Sequence, residues 1–397
     1  MRKTFTQRWI STVLVCCVML TCLAGIAGSS FAEGEPSIVP GGYTVGGVTY
    51  ELIRGKYTYA SAVPVNGHNI NLTADFYYSD GFFMEDPYTY NPHLATTSLN
   101  MAMAAYNANA DMSGPGMDYS DRENNIRRFM GDIGCENIYT NRYYRIRPER
   151  DSIGVAIGRR QLKNGNGTAS GRMLVVIAIR GGNYELEWVS NATLGTGTKY
   201  NGEAEGFASA AEKVTKEIDA YIKQNGLSED VRDGQVDFWI SGYSRAGATT
   251  NLTARRLVDK YAPNRNSGNK VFAYCNEDPQ GGVESAMIAG NDYTCIHNVI
   301  NKADLVPRVA PSEMGFFRYG VDHYIPGTPA GTSTGKSDNT AYTIGLHGYE
   351  RAKTSMLRQL AAINPYIQFS DSFQVYGVDP EAINSALVNV AGSVATY

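Results

Sequence analysis

The stretch Val236–Ala248 constrains the fold of this chain more tightly than any other. Phe238, Trp239 and Ile240 are β-formers, Gly242 and Tyr243 lead into Ser244, and Arg245, Ala246, Gly247 and Ala248 open a helix-compatible run. A strand that turns sharply into a helix at a serine lifts the hydroxyl clear of both elements and points the helix's first N–H groups at it. The usual pattern for such a turn is G-x-S-x-G, and here Ala246 stands in place of the last glycine. The pattern needs a small side chain where strand and helix pass closely, which alanine satisfies. Short strings of this kind recur by chance, so the flanking sequence decides what this one means.

The flanks alternate between strand and helix patterns. Residues 33 to about 90 are rich in Gly, Tyr and Thr and read as short strands forming a β-rich arm. Ala95, Leu99, Ala102, Met103 and Tyr106 share one face at helical spacing. Ser120 and Glu123 read as a capping box opening a second helix through Ile126, Phe129 and Met130 to Gly131. Strands are expected at 151–158 and 172–180, a helix from Phe207 to Gly226, the strand and helix around Ser244 ended by Pro263, and further strands at 271–275 and 294–300. The near-continuous apolar run from Met173 to Ile179 suits a strand covered on both faces. Strands alternating with helices of this length imply an α/β fold, a mostly parallel central sheet with helices on both faces.

The termini set further expectations. Arg2, Lys3 and Arg8 precede an apolar run from Ile10 to Ile26 and a small-x-small site ending at Ala32, so residues 1–32 read as a cleaved secretory signal peptide and the protein as secreted. An uncleaved membrane anchor is the alternative. The organisation expected is then signal peptide 1–32, arm 33–90, α/β domain 91–365 and a C-terminal tail 366–397 in which Ala382–Val394 is helix-like. Whether Tyr397 is the native end, and the oligomeric state, stay open. Cys16, Cys17 and Cys22 leave with the leader. Cys135, Cys275 and Cys295 remain, which allows at most one disulfide, with Cys275–Cys295 as the pair to consider. The leader holds three positive charges and no acid, so its loss takes the formal charge from −4 to −7. An acidic chain without a basic cluster is not a nucleic-acid binder. The 27 tyrosines favour no function over another.

A reactive serine needs a base, a carboxylate to orient it, and backbone donors for an oxyanion. Where the serine sits on a strand-to-helix turn, acid and base follow it in sequence. Asp304 lies just beyond the strand expected at 294–300, in Asp304-Leu305-Val306-Pro307. Of five histidines, His68 and His93 precede Ser244, and His297 lies within a strand. His347 and His323 remain, with His347 preferred for its late position ahead of a helix-like segment. The N–H of Arg245 is the first oxyanion donor expected, and Gly182, with Gly181 as fallback, the second. No cofactor and no metal are expected; the Asp-rich stretch 111–121 lacks calcium-loop spacing.

These motifs together resemble the class 3 lipase family, the fungal-lipase-like branch of the α/β-hydrolases, and the chain is similar to a bacterial member of it from about Asn91 to Arg358. The resemblance rests on Val176–Gly182 with Trp188 after it, on Glu205-Gly206-Phe207, on Gly242–Ala248, on Asp278-Pro279-Gln280-Gly281-Gly282 and on the Asp-x-Val-Pro motif at Asp304. It implies a Ser244, Asp304, His347 triad and hydrolysis of acyl esters, often lipid ones, with transient contact to a lipid interface. It also implies a lid over about 183–201, with Leu186, Trp188 and Val189 on its apolar side. Gly182 and Ala246 depart from the family's pattern, and the lid segment is only half apolar, which fits a soluble esterase as well as an interfacial lipase. An idle hydrolase fold acting as a secreted binding protein, or an acyltransferase or amidase using the same residues, are the alternatives.

Overall fold

Hydrophobic patterning on both sides of Ser244 builds one central sheet. A computed structural model describes residues 37–38, 40–60, 71–105, 123–144, 153–181, 198–301, 306–308, 312 and 315–325. The leader, the C-terminal tail and the whole of 326–397 lie outside these. Five short strands come first: β1 (Ser37–Ile38), β2 (Tyr43–Val45), β3 (Val48–Tyr50), β4 (Ile53–Ala60) and β5 (Asn71–Tyr78). Strands β1, β4 and β5 form an antiparallel sheet, and β2 and β3 a hairpin. Helices α1 (Pro92–Ala104) and α2 (Asn124–Asp132) follow.

The main sheet comprises β6 (Glu136–Thr140), β7 (Val155–Lys163), β8 (Ala169–Ile179), β9 (Val236–Tyr243), β10 (Lys270–Asn276), β11 (Ile296–Asn301) and β12 (Val321–Ile325), in the order β12-β11-β10-β9-β8-β7-β6. Strands β8 to β12 are mutually parallel, while β7 runs antiparallel to β8 and β6 antiparallel to β7. The remaining helices are α3 (Glu205–Gln224), α4 (Ser228–Arg232) and α5 (Arg245–Tyr261). This is the α/β architecture expected, with α3 and α5 serving as the crossovers into β9 and β10.

Every residue of β9 is buried, because alternate side chains enter two different cores. Phe238 and Ile240 pack with Phe207, Val214 and Ile218 of α3 and Leu252 and Leu257 of α5. Trp239 and Tyr243 face the other way, among Leu94 and Leu99 of α1, Phe129 of α2, and Phe76 and Tyr78 of β5. The Trp239 indole N–H donates to Ser98 Oγ at 2.7 Å, which satisfies the one polar atom that this burial would strand.

Three local readings change. Strand β7 is shifted to 155–163 because it forms a tight hairpin with β8, closed by Asn164 N–H donating to the Thr168 carbonyl at 2.8 Å. Helix α2 begins at Asn124 with Glu123 in helical conformation and no side-chain cap. The Glu123 carboxylate accepts instead from Thr140 and Arg127, tying the helix to β6; Ser120 lies outside the described residues. Residues 321–325, where no strand was expected, form β12, paired with β11 and the last strand on that side among the described residues.

The cysteines also resolve. Cys135, Cys275 and Cys295 are all free thiols, against the disulfide considered above. In the parallel register Ala273 faces Ile296 and Cys275 faces Asn298. Cys275 and Cys295 are therefore offset along the strands by three residues, roughly 10 Å, beyond disulfide reach. Burial pushes the Cys295 thiol up to about 12.

The arm is fastened by a buried ion pair. Arg160 of β7 donates from Nε to Asp80 Oδ1 at 2.7 Å and from Nη2 to Oδ2 at 2.9 Å, and Tyr78 and the Lys163 N–H donate to the same carboxylate. Arg160 Nη1 donates to the Ile133 carbonyl at 2.7 Å. Removing one partner of such a pair leaves a buried charge uncompensated. Asp80→Ala is expected to lower unfolding free energy by about 3–5 kcal/mol, read as a lower urea midpoint at unchanged slope. Among the described residues no helix is long and apolar enough to cross a membrane.

Candidate active site

Ser244 occupies the turn between β9 and α5 with φ 60° and ψ −127°. A left-handed φ is unfavourable for a residue with a side chain, and such strain costs on the order of 1–3 kcal/mol. It is held by its surroundings. The Ser244 N–H donates to the Asn276 carbonyl at 2.9 Å, and the Ser244 carbonyl accepts from Gly247 N–H at 2.7 Å as α5 begins. The serine is 7% exposed.

Two glycines make the turn possible, and Ala246 is not at either position. A Cβ on Gly242 would lie 2.5 Å from the Ala246 carbonyl oxygen and 2.6 Å from Thr250 Oγ1. A Cβ on Gly247 would lie 2.7 Å from Asp278 Cβ and 2.8 Å from the Asn276 carbonyl oxygen. The close passage that the sequence pattern placed at residue 246 is met at 242 and 247. Ala246 itself packs into the α3-side core.

The strand exits around Ser244 are stitched together. Ile179 pairs with Gly242, so Arg180 and Gly181 leave β8 beside the turn. Asn276 Nδ2 donates to Ser241 Oγ at 3.1 Å and to the Gly242 carbonyl at 3.2 Å, and Ser241 Oγ donates to the Ser98 carbonyl at 2.9 Å. Glu277, directly after β10, has φ 48°, so two successive strand exits carry side-chain residues in left-handed conformation. Arg245, whose N–H was expected to face an oxyanion, is the first residue of α5 and has a fully buried side chain.

Gly182, Leu186, Trp188, Val189, Asp304 and His347 lie outside the described residues. The approach to Asp304 is described: β11 ends at Asn301, two strands from β9 on the same edge of the sheet, and a short turn resumes at Val306–Arg308.

The rival histidine is committed elsewhere. His297 of β11 donates from Nε2 to the Pro87 carbonyl at 2.9 Å, which leaves its Nδ1 to accept from His323 Nε2 at 3.0 Å. The His323 ring stacks on Tyr90, centroid to centroid 4.0 Å. Burial pushes His297 down to about 4 and lowers His323 as well, so both rings are neutral at physiological pH.

Two charged residues near the turn had no signal in the sequence beyond the Asp278-Pro279 motif. Asp278 is fully buried, with neither carboxylate oxygen hydrogen-bonded among the described residues, and burial pushes it up to about 7 against the attraction of Arg318. Arg318, just before β12, donates from Nε to the Asp278 carbonyl at 2.7 Å. Among the described residues no group of three His, Cys, Asp or Glu is arranged to hold a metal ion.

Residues 176–314 match the class 3 lipase family. No curated protein matches the chain. Among solved structures, the triacylglyceride lipase of Rhizomucor miehei is similar at 17% identity, over 58% of this chain and 78% of that one, with a TM-score of 0.38. A lipase from Rhizopus microsporus var. chinensis is similar at 15% identity, over 60% and 76%, with a TM-score of 0.37. Likeness at these values carries no weight of its own. The matched span contains the strand exit at Arg180, the β9–α5 turn with Ser244, and the Asp-x-Val-Pro motif at Asp304, so over residues 176–314 the chain is similar to the class 3 lipase family.

Proposed function

We propose that this protein is an exported serine hydrolase that cleaves carboxylic esters, acylglycerols among them, through an acyl-enzyme. The observation that carries the reading is the strained, sterically enforced conformation of Ser244 at the head of α5. A conformation this costly persists only where the surroundings hold it, and such strain clusters at reactive sites.

In the proposed reaction Ser244 Oγ bonds to the ester carbonyl carbon while His347 takes its proton. The Arg245 and Gly182 N–H groups receive the oxyanion. Collapse breaks the bond to the alcohol oxygen, which leaves with the proton from His347. Water then repeats the sequence on the acyl-enzyme, releasing the acid and restoring Ser244. Asp304 holds the imidazole tautomer and stabilises the imidazolium. No step calls for a cofactor. The half-apolar segment 183–201 is read as a lid, and residues 1–32 as a leader removed on export.

The test is labelling by a fluorophosphonate probe, followed by hydrolysis of esters of increasing chain length. Wild type is expected to label, His347→Ala to label at least 100-fold more slowly, given the roughly 10²–10⁴-fold worth of general base catalysis, and His323→Ala to label normally. A folded wild type that does not label leaves the serine without an activating base, and the idle binding-protein reading then takes over. Activity that rises sharply when long-chain esters aggregate marks an interfacial lipase; saturation on soluble short-chain esters marks an esterase.

A further inference from the structure

Asn276, the last residue of β10, holds the Ser244 turn with its backbone and with its side chain, and is 1% exposed. Its carbonyl accepts from the Ser244 N–H at 2.9 Å. The N–H of the same peptide unit, that of Glu277, donates to the Val299 carbonyl of β11 at 3.0 Å. A peptide unit is planar, so this single plate sets the serine's backbone against β10 and β11 together. Glu277 has φ 48° and β10 ends at this unit.

The side chain grips the approach to the turn. Asn276 Nδ2 donates to Ser241 Oγ at 3.1 Å, to the Gly242 carbonyl at 3.2 Å and to the Tyr274 carbonyl of its own strand at 3.4 Å. Ser241 Oγ donates onward to the Ser98 carbonyl at 2.9 Å, and Ser98 Oγ accepts from the Trp239 indole. Ser98, Trp239 and Ser241 are fully buried. One residue of β10 therefore holds β9 at positions 241, 242 and 244, and the grip is carried through to α1.

We propose that Asn276 is a positioning residue of the hydrolytic site, its side-chain amide and backbone carbonyl together holding Ser244 in the left-handed conformation. The inference rests on the reading of Ser244 as the nucleophile. Gly242 and Gly247 leave room for that conformation; Asn276 supplies the contacts that keep it occupied, which a strained residue requires of its surroundings. An amide suits the place. It offers two N–H donors without charge, whereas an ionised carboxylate of the same shape would meet the Gly242 and Tyr274 carbonyl oxygens with no hydrogen to give.

The test is the rate of fluorophosphonate labelling, with kcat and KM on a soluble ester, for protein expressed from the full chain. Rates are taken per folded molecule, the folded fraction coming from urea unfolding followed by tryptophan fluorescence. Asn276→Ala keeps the backbone carbonyl and removes the amide. It is expected to slow labelling and kcat together by about 10- to 100-fold, the loss that a misplacement near 1 Å at a reacting atom produces. KM should stay within about threefold, because ground-state binding of the ester does not use the clamp. Asn276→Asp keeps the shape and makes the donor titratable. Its labelling rate relative to wild type should be lowest near about pH 9 and climb toward about pH 5, as the carboxyl takes up the proton that the Gly242 carbonyl needs. Glu277 and Asp278, next along the chain, and Tyr274 titrate in both proteins, so the ratio cancels them. Should Asn276→Ala not fold, Asn276→Asp alone decides. Asn276→Ala labelling at the wild-type rate overturns the inference. So does an Asn276→Asp ratio that does not change with pH, since a merely structural role moves the folded fraction alone. If wild type does not label, or Ser244→Ala labels as well as wild type, the reading of Ser244 itself fails and the inference falls with it.

Discussion

Ser244→Ala is expected to fold normally, to take up no fluorophosphonate, and to lose ester hydrolysis by a factor on the order of 10⁴–10⁶. The size follows from the way a triad works as a unit: without the nucleophile, the base and the oxyanion donors have no covalent step to assist, and only the residual advantage of binding remains. The fold should tolerate the change well. Loss of the hydroxyl removes no hydrogen bond that holds the turn, which is made by the Ser244 N–H and carbonyl. Alanine carries the same strain at φ 60°, so the urea midpoint should move little. A variant with full activity and wild-type stability would show that another residue attacks the ester.

Gly247→Ala is expected to damage activity through geometry alone. The added methyl would meet Asp278 Cβ at 2.7 Å and the Asn276 carbonyl oxygen at 2.8 Å. Neither is the free end of a flexible side chain, so α5 and the exit of β10 must move apart. Overpacking of this kind costs about 1–3 kcal/mol, occasionally more. The same Asn276 carbonyl accepts from the Ser244 N–H, so the displacement passes directly to the serine. A shift near 1 Å at a reacting atom costs about 10²-fold in rate, and kcat/KM should fall by that order while KM changes less. Wild-type kinetics in this variant would mean that the turn relaxes without moving Ser244.

The arrangement is legible in the sequence wherever it depends on neighbours along the chain. Phe238, Trp239 and Ile240 followed by Gly242 and Ser244 specify a buried strand ending in a tight turn, and β9 and α5 lie at the expected residues. Helix α3 shows its amphipathic face through Phe207, Val214 and Ile218 and stops before Gly226, which has φ 71°. The apolar run through Val176 and Ile179 announces a strand covered on both faces. Expectations failed where a partner distant in sequence competes. Glu123 looks like a capping residue, but Thr140 and Arg127 take its carboxylate. His323 sits between Gly320 and Pro326, where no strand was expected, yet pairing with β11 makes its segment a strand and His297 takes its ring N–H.

By itself the sequence determined the α/β class, the place of Ser244 between strand and helix, and the likeness of residues 176–314 to a known family, because hydrophobic period, turn chemistry and motif spacing are properties of consecutive residues. Only the tertiary structure decided that Gly242 and Gly247, rather than residue 246, carry the steric requirement, since that depends on which atoms of β10 and α5 approach. It also decided that Cys275 and Cys295 stay apart, and that Arg318, 74 residues after Ser244 in the sequence, reaches the strand exit behind that serine. Parallel strands are joined by long crossovers, so groups that meet at their common edge are far apart in sequence. Their meeting is set by register and packing, which no local pattern encodes.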